Sequence, residues 1–250
     1  MLNDVLVMGW KEWKELLQMQ GSKRSGLIGL LVMMTIFGIF MPIQWGSMWV
    51  ESAASLSLWG IMPLILVATM VADSIAGERE RHTLETLLAS RLSDQAILLG
   101  KIGANVSCVW IVTQLLFIVA LVPVNLMHGQ GRLLVYKPEV LLSGLVLSFL
   151  LSCLMSSIGV LVSLRAGTVK QAQQTLGLSV FILAYVVPMA GVFMVRFVPE
   201  ETRNRLFQPI LTGNITSIVL QASAVLIILN IGLYSAAKAR FQRSSLIFND

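Results

Sequence analysis

Charge is what this chain has least of. Asp, Glu, Lys and Arg make up 12% of its 250 residues, against about 25% in soluble domains. That is too little to cover a globular surface in water. With 56% hydrophobic residues and a mean hydropathy of +0.80, most of the chain is suited to lipid. Cysteine is nearly absent too. Cys108 and Cys153 both fall in apolar runs, which leaves no disulfide framework and no zinc-ligand spacing, so both read as small buried hydrophobes. The only histidines are His82 and His128, both between apolar runs, and no HExxH spacing occurs. There is no G-x-x-x-x-G-K-[ST] phosphate loop. No cleavable signal peptide is expected, because charges interleave through Glu15 and the first apolar run begins near Gly26.

Charge is also missing from a particular place. No Asp, Glu, Lys, Arg or His lies well inside an apolar window, and Asp73 sits at the end of one. A charge at the bilayer centre costs about 2.5–3.5 kcal/mol, so it persists mainly where function needs it. A proton- or sodium-coupled carrier would need an intramembrane carboxylate or a broken-helix ion site. An intramembrane protease would need a Ser/His pair, two Asp or a metal cluster. The chain is therefore expected to catalyse nothing itself and to hold no cofactor or metal. The net charge of +5 does not indicate nucleic acid, since the bases flank apolar runs as topology signals do.

Six windows are long enough to cross a bilayer, which takes about 20 apolar residues: 26–45, 56–74, 103–127, 139–164, 175–195 and 214–237. Thirteen of the 18 lysines and arginines fall on one side of this alternation, among them Lys11, Lys14, Lys23, Arg24, Arg79, Arg81, Arg91 and Lys101. The positive-inside rule then puts both termini and the 75–102 loop in the cytoplasm of a multi-pass protein of the cell (inner) membrane. The expected fold is an all-α integral membrane protein: an interfacial amphipathic helix over 1–25, then a six-helix transmembrane domain over 26–250. In the first of these, Leu2, Leu6, Trp13, Leu16, Leu17 and Gln20 share a face opposite Lys11, Lys14, Glu15 and Gln18.

Within the windows, Asn105, Gln114, Gln221 and Asn230 read as helix-to-helix hydrogen-bonding groups. Gly144, Ser148, Ser152 and Ser156 recur at i, i+4, with Gly159 and Ser163 close to the same side. This is a helix-packing stripe, either inside the subunit or across a dimer. Pro188 is expected to kink the fifth span, and Pro63 and Pro123 carry a weaker signal of the same kind.

The 75–102 loop, IAGERERHTLETLLASRLSDQAILLGKI, is the most charged stretch of the chain. Leu84, Leu87 and Leu88 share a helical face and Arg81 and Glu85 stand at i, i+4, which predicts one short amphipathic helix from Glu78 to Ser90. The segment resembles the cytoplasmic loop of type-2 ABC exporter permeases, G-E-x-E-x-x-T-L-E-x-L-L-x-x-P followed by a later lysine. The match covers Gly77, Glu78, Glu80, Thr83, Leu84, Glu85, Leu87, Leu88 and Lys101. Arg91 stands in place of the family's proline, and His82 stands where glycine or lysine is frequent.

The resemblance implies a coupling helix made of Gly77, Glu78, Arg79, Glu80, Arg81, Thr83, Leu84, Glu85, Leu87 and Leu88. Its leucines would be buried in a separate ATPase subunit, and Glu78, Glu80 and Glu85 would make polar contacts there. It implies two ATPase copies carrying ATP and Mg, and a second permease copy, as homodimer or heterodimer. It also implies a re-entrant outer gate at Phe207, Pro209, Ile210 and Leu211, for which an ordinary external loop is the alternative. With the family proline absent, the coupling helix is free to run further. On this reading Glu78→Ala or Leu87→Asp weakens ATPase assembly or stimulation without blocking insertion. The function implied is export; a membrane subunit for maturation of an extracytoplasmic enzyme, or less readily a secondary carrier, are the alternatives.

Overall fold

In hydrocarbon no water can satisfy an open backbone group, so a chain of this composition must close its hydrogen bonds within each segment. Among the described residues every regular element of the computed structural model is accordingly a helix. The described residues are 2–22, 24–52, 55–186 and 215–241, with isolated positions 189, 197, 199 and 202. Helix α1 is Leu2–Ser22. Helix α2, Arg24–Thr35, passes through a π-helical stretch, Ile36–Phe40, into α3, Met41–Trp45. The short α4 is Met48–Glu51. Then come α5, Ser55–Met70, α6, Ala72–Glu80, and α7, Leu84–Leu88. The long helices α8, Asp94–His128, and α9, Pro138–Arg165, follow. Helix α10, Val169–Phe181, continues as a π-helical stretch, Ile182–Val186, and α11 is Ile215–Arg240.

Three of these, α8, α9 and α11, are long and apolar enough to cross a membrane; Leu31–Trp45 and Ser55–Ala68 are shorter apolar helices. At 35 residues, α8 is about 52 Å long at 1.5 Å per residue. A hydrocarbon layer of about 30 Å is shorter than this helix, whose first turns carry the polar residues Asp94 and Lys101.

Helix α9 is the hub, packed against α5, α6, α8, α10 and α11. Its small-residue stripe faces into the chain: Gly144, Ser148, Ser152, Ser156, Gly159 and Ser163 are all buried. A Cβ at Gly144 would lie 2.5 Å from the Trp59 ring, and one at Gly159 would lie 2.5 Å from Val71. The absence of side chains there is what lets α5 and α6 lie against α9. Gln114 Nε2 donates to Ser148 Oγ at 3.0 Å, and Asn230 Nδ2 donates to the Leu150 carbonyl at 3.0 Å. Both are bonds between helices. Near Gly144 a cluster of Trp49, Trp59, Phe117 and Tyr136 closes one end of the core, with Trp59 and Phe117 stacked at 3.9 Å between centroids. Trp49 Nε1 donates to Tyr136 Oη, which donates to the Phe117 carbonyl, both at 2.9 Å.

Several expectations change here. Pro63 and Pro123 lie inside α5 and α8, and neither helix ends at its proline. The break falls instead at Val71, between α5 and α6. It frees the amides of Ile75 and Ala76, which donate to Ser163 Oγ at 3.2 and 2.8 Å. A serine on the neighbouring helix satisfies what the break leaves open. Helix α1 packs only part of the face its periodicity suggests, together with residues from beside it. Met8 and Glu12 are buried and Trp13 and Leu16 half-buried, while Leu2, Leu6 and Trp10 are exposed. The reason is Gly100 on α8: any Cβ there would lie 2.6 Å from that of Met8, so the two helices cross at that point. Pro188 and the gate residues Phe207, Pro209, Ile210 and Leu211 lie outside the described residues.

Candidate coupling site

The charged loop does not form one helix from Glu78 to Ser90. Helix α6 ends at Glu80 and a second helix starts at Leu84. Between them His82 takes φ 53°, its amide donating to the Arg79 carbonyl at 3.0 Å and the Thr83 amide to the Glu78 carbonyl at 2.9 Å. These two bonds form a Schellman C-cap, whose left-handed residue is usually glycine. His82 fills it here, at the position where the resemblance expects glycine or lysine. Arg81 and Glu85 therefore do not share a helix. Nor does α7 extend past Arg91 for want of a proline: it stops at Leu88, and Ser93 Oγ accepts from the Ala96 amide at 3.3 Å to cap α8.

Glu78 is the larger correction. Its carboxylate is not turned toward a partner but buried within the chain, 2% exposed. Lys101, wholly buried on α8, places its ammonium 3.1 Å from Glu78 Oε1, 2.8 Å from Glu12 Oε1 and 2.7 Å from the Ser74 carbonyl. Lys11 closes the cluster, 2.8 Å from Glu78 Oε1 and 3.3 Å from Glu15 Oε1. Two cations and two buried carboxylates thus join α1, α6 and α8. Trp13 Nε1, donating to Ser107 Oγ at 2.7 Å, adds a second tie between α1 and α8. Such a charge cluster survives burial only when each member keeps its partners. Glu78→Ala would therefore unbalance the chain's own interior, and is not a clean probe of a docking surface.

The protonation tendencies show which member is costly. Burial pulls the Lys11 ammonium down, but its bond to Glu78 and the charges of Glu78, Glu12 and Glu15 outweigh that and hold it above 10.5. Its contribution is complete below 10.5 and is lost as pH rises through the higher folded value. Burial pushes Glu12 above 4.5, with Lys101 opposing. The folded state thus holds the Glu12 proton more tightly than the unfolded chain does, and the ionised carboxylate is a net cost at neutral pH.

The rest of the segment grips the turn between α9 and α10. Arg79 donates to the carbonyls of Ala166 at 2.7 Å and Leu164 at 3.2 Å, at the C-terminus of α9. Glu80 Oε1 accepts from the Val169 amide at 2.8 Å, at the N-terminus of α10. A cation at a helix C-terminus and an anion at an N-terminus both suit the helix dipole. Thr168 Oγ1 caps the same terminus, accepting from Gln171 at 3.2 Å.

What remains for a partner is narrower than the motif implies. Gly77 is buried, and Leu84 is buried in the chain's own core, with Leu87 half-buried against it. Among the described residues of 77–91 the exposed ones are Glu80, Arg81, His82, Thr83, Glu85, Thr86, Ala89 and Arg91, of which Glu80 is already engaged by the Val169 amide. The others make a polar knuckle whose base is fixed by Glu78, Arg79, Glu80 and Leu84. Sequence reasoning noted Lys101 but missed its partner Glu12. The available signal was a lysine set among Ile97, Leu98 and Ile102.

The arrangement couples one exposed segment to four helices, a mechanical role with no reacting group in it. Compared with known proteins, the chain matches the family model described as "ABC-2 family transporter protein" over residues 11–224. No curated protein matches it.

Proposed function

The chain belongs to the ABC-2 family of transporter proteins, and we propose that it is the permease of an ATP-driven exporter, with six spans and both termini in the cytoplasm. Family membership makes it a membrane subunit that partners an ATPase. The finer reading is that two ATPase copies, carrying ATP and Mg, drive a pair of these chains, and that substrate leaves the cytoplasm.

The observation that carries this reading is the Arg81–Arg91 knuckle, exposed between α6 and α8 and clamped at its base to α1, α8, α9 and α10. A motor acting on the knuckle would move these four helices together, because the clamp is a buried charge cluster and two helix caps instead of a hinge. The polar character of the knuckle suits a partner that docks and releases with each cycle. The second and third spans, either side of it, would carry the motion inward.

The test is reconstitution with the partner ATPase in sealed vesicles. ATP-dependent movement of a substrate out of the cytoplasmic compartment, lost with a hydrolysis-dead ATPase, is expected. Transport that runs on an ion gradient without ATP would overturn the assignment. ATP hydrolysis stimulated only by an extracytoplasmic enzyme awaiting maturation, with no substrate moved, would assign the chain to that alternative.

A further inference from the structure

We propose that the groove between α1 and α8 binds one anionic phospholipid of the cytoplasmic leaflet, an inference that rests on the cytoplasmic placement of α1. The groove is open and holds about 470 Å³, lined among others by Leu6, Trp10, Trp13, Gly103, Ala104 and Ser107. Its one side-chain hydroxyl, that of Ser107, is already engaged by the Trp13 indole at 2.7 Å. An occupant therefore meets almost wholly apolar walls, which suits an acyl chain and not a polar solute.

The glycines explain why the space exists. Gly100 lets α1 cross α8 closely on one side, whereas a Cβ at Gly103 would meet nothing within 4 Å. Leu6 and Trp10 are 63% and 65% exposed, an apolar surface that a lipid tail would cover.

The rim supplies the charge. Lys14, one turn after Trp10 on α1, places its ammonium 5.4 Å from the centre of the Trp10 ring, which lines the groove. An indole backed by a cation at the level of the head groups recognises a chain whose head group is anionic. One basic residue near an anionic surface favours binding by about fivefold. The clamp gives the site a consequence: Trp10 and Trp13 flank Lys11 and Glu12, so a lipid seated here would hold α1 against α8.

Native mass spectrometry of the full chain tests the proposal, with dioleoyl phosphatidylglycerol and dioleoyl phosphatidylcholine as probes. The wild-type chain is expected to retain one phosphatidylglycerol about fivefold more than phosphatidylcholine. Lys14→Gln should abolish that preference while leaving both lipids able to bind. Gly103→Leu, whose Cβ would meet nothing within 4 Å and whose side chain would extend into the groove, should remove the retained lipid with its unfolding midpoint unchanged. Equal retention by the wild-type chain and Gly103→Leu would overturn the proposal, as would a preference indifferent to Lys14. Displacement of the lipid by added ATPase, with Gly103→Leu weakening ATPase binding, would assign the groove to a protein segment and overturn it too. Labelling of a cysteine at position 3 from the outer side alone would overturn the cytoplasmic placement, a result distinct from any change in retention.

Discussion

Replacing Lys101 with methionine is expected to cost about 3–5 kcal/mol of stability, the cost of leaving one partner of a buried ion pair without the other. The side chains of Glu12 and Glu78 are only 5% and 3% exposed, so neither can turn to water. Lys11 still reaches Glu78 at 2.8 Å but stands 3.7 Å from Glu12. The uncompensated charge after the substitution is therefore mainly that of Glu12. This fixes an order among variants. Glu12→Gln alone should be milder, because burial already disfavours that carboxylate and Lys101 keeps Glu78 and the Ser74 carbonyl. Combining Lys101→Met with Glu12→Gln should recover most of the loss, leaving the Lys11–Glu78 pair balanced. Unfolding by denaturing detergent, followed by tryptophan fluorescence, measures all three. A Lys101→Met chain as stable as wild type, or a double variant no better than the single, would contradict the cluster's role.

The second large effect is on coupling rather than folding. Substituting Arg79→Ala together with Glu80→Gln removes the charged bonds from the coupling segment to the ends of α9 and α10. Hydrogen bonds to charged groups are worth about 1.5–3 kcal/mol each, and Arg79 makes two of them to carbonyls. The Lys101 cluster and the knuckle are left in place, so the ATPase partner should still bind and hydrolyse ATP. Transport per ATP is expected to fall by about tenfold, equivalent to 1.4 kcal/mol of lost linkage. Measuring hydrolysis and transport on the same vesicles separates this from weaker assembly. Parallel loss of both, in proportion to ATPase bound, would place these residues at the docking surface instead.

Much of this was legible in the residues. The stripe from Gly144 to Ser163 announced close packing because a helix repeat of small residues permits close approach of another backbone, but not that its partners would be Trp59 and Val71 of the same chain. The charged loop announced itself by composition and motif. What could not be read was which face each helix turned inward. Leu84 belongs by spacing to an exposed leucine face, yet the Schellman cap at His82 changes the chain's direction and delivers Leu84 to the core. That cap has no glycine to mark it. Glu78 and Lys101 stand 23 positions apart and Glu12 another 66 before them, and only the crossing at Gly100 brings the three together. Local periodicity carries no information about such a crossing. The packed face of α1 follows the same logic: Met8 and Glu12 are chosen by the shape of α8, not by the apolar moment of α1.

The central claim is that the knuckle, and not the leucine face or Glu78, meets the ATPase. Site-directed crosslinking tests it most directly, in a chain whose Cys108 and Cys153 have been replaced and which is co-expressed with its ATPase. Thr86→Cys, exposed on α7, is predicted to crosslink to the ATPase in a nucleotide-dependent way, while Leu84→Cys, two residues away and buried, does not. Crosslinking from Leu84→Cys with none from Thr86→Cys would contradict the account.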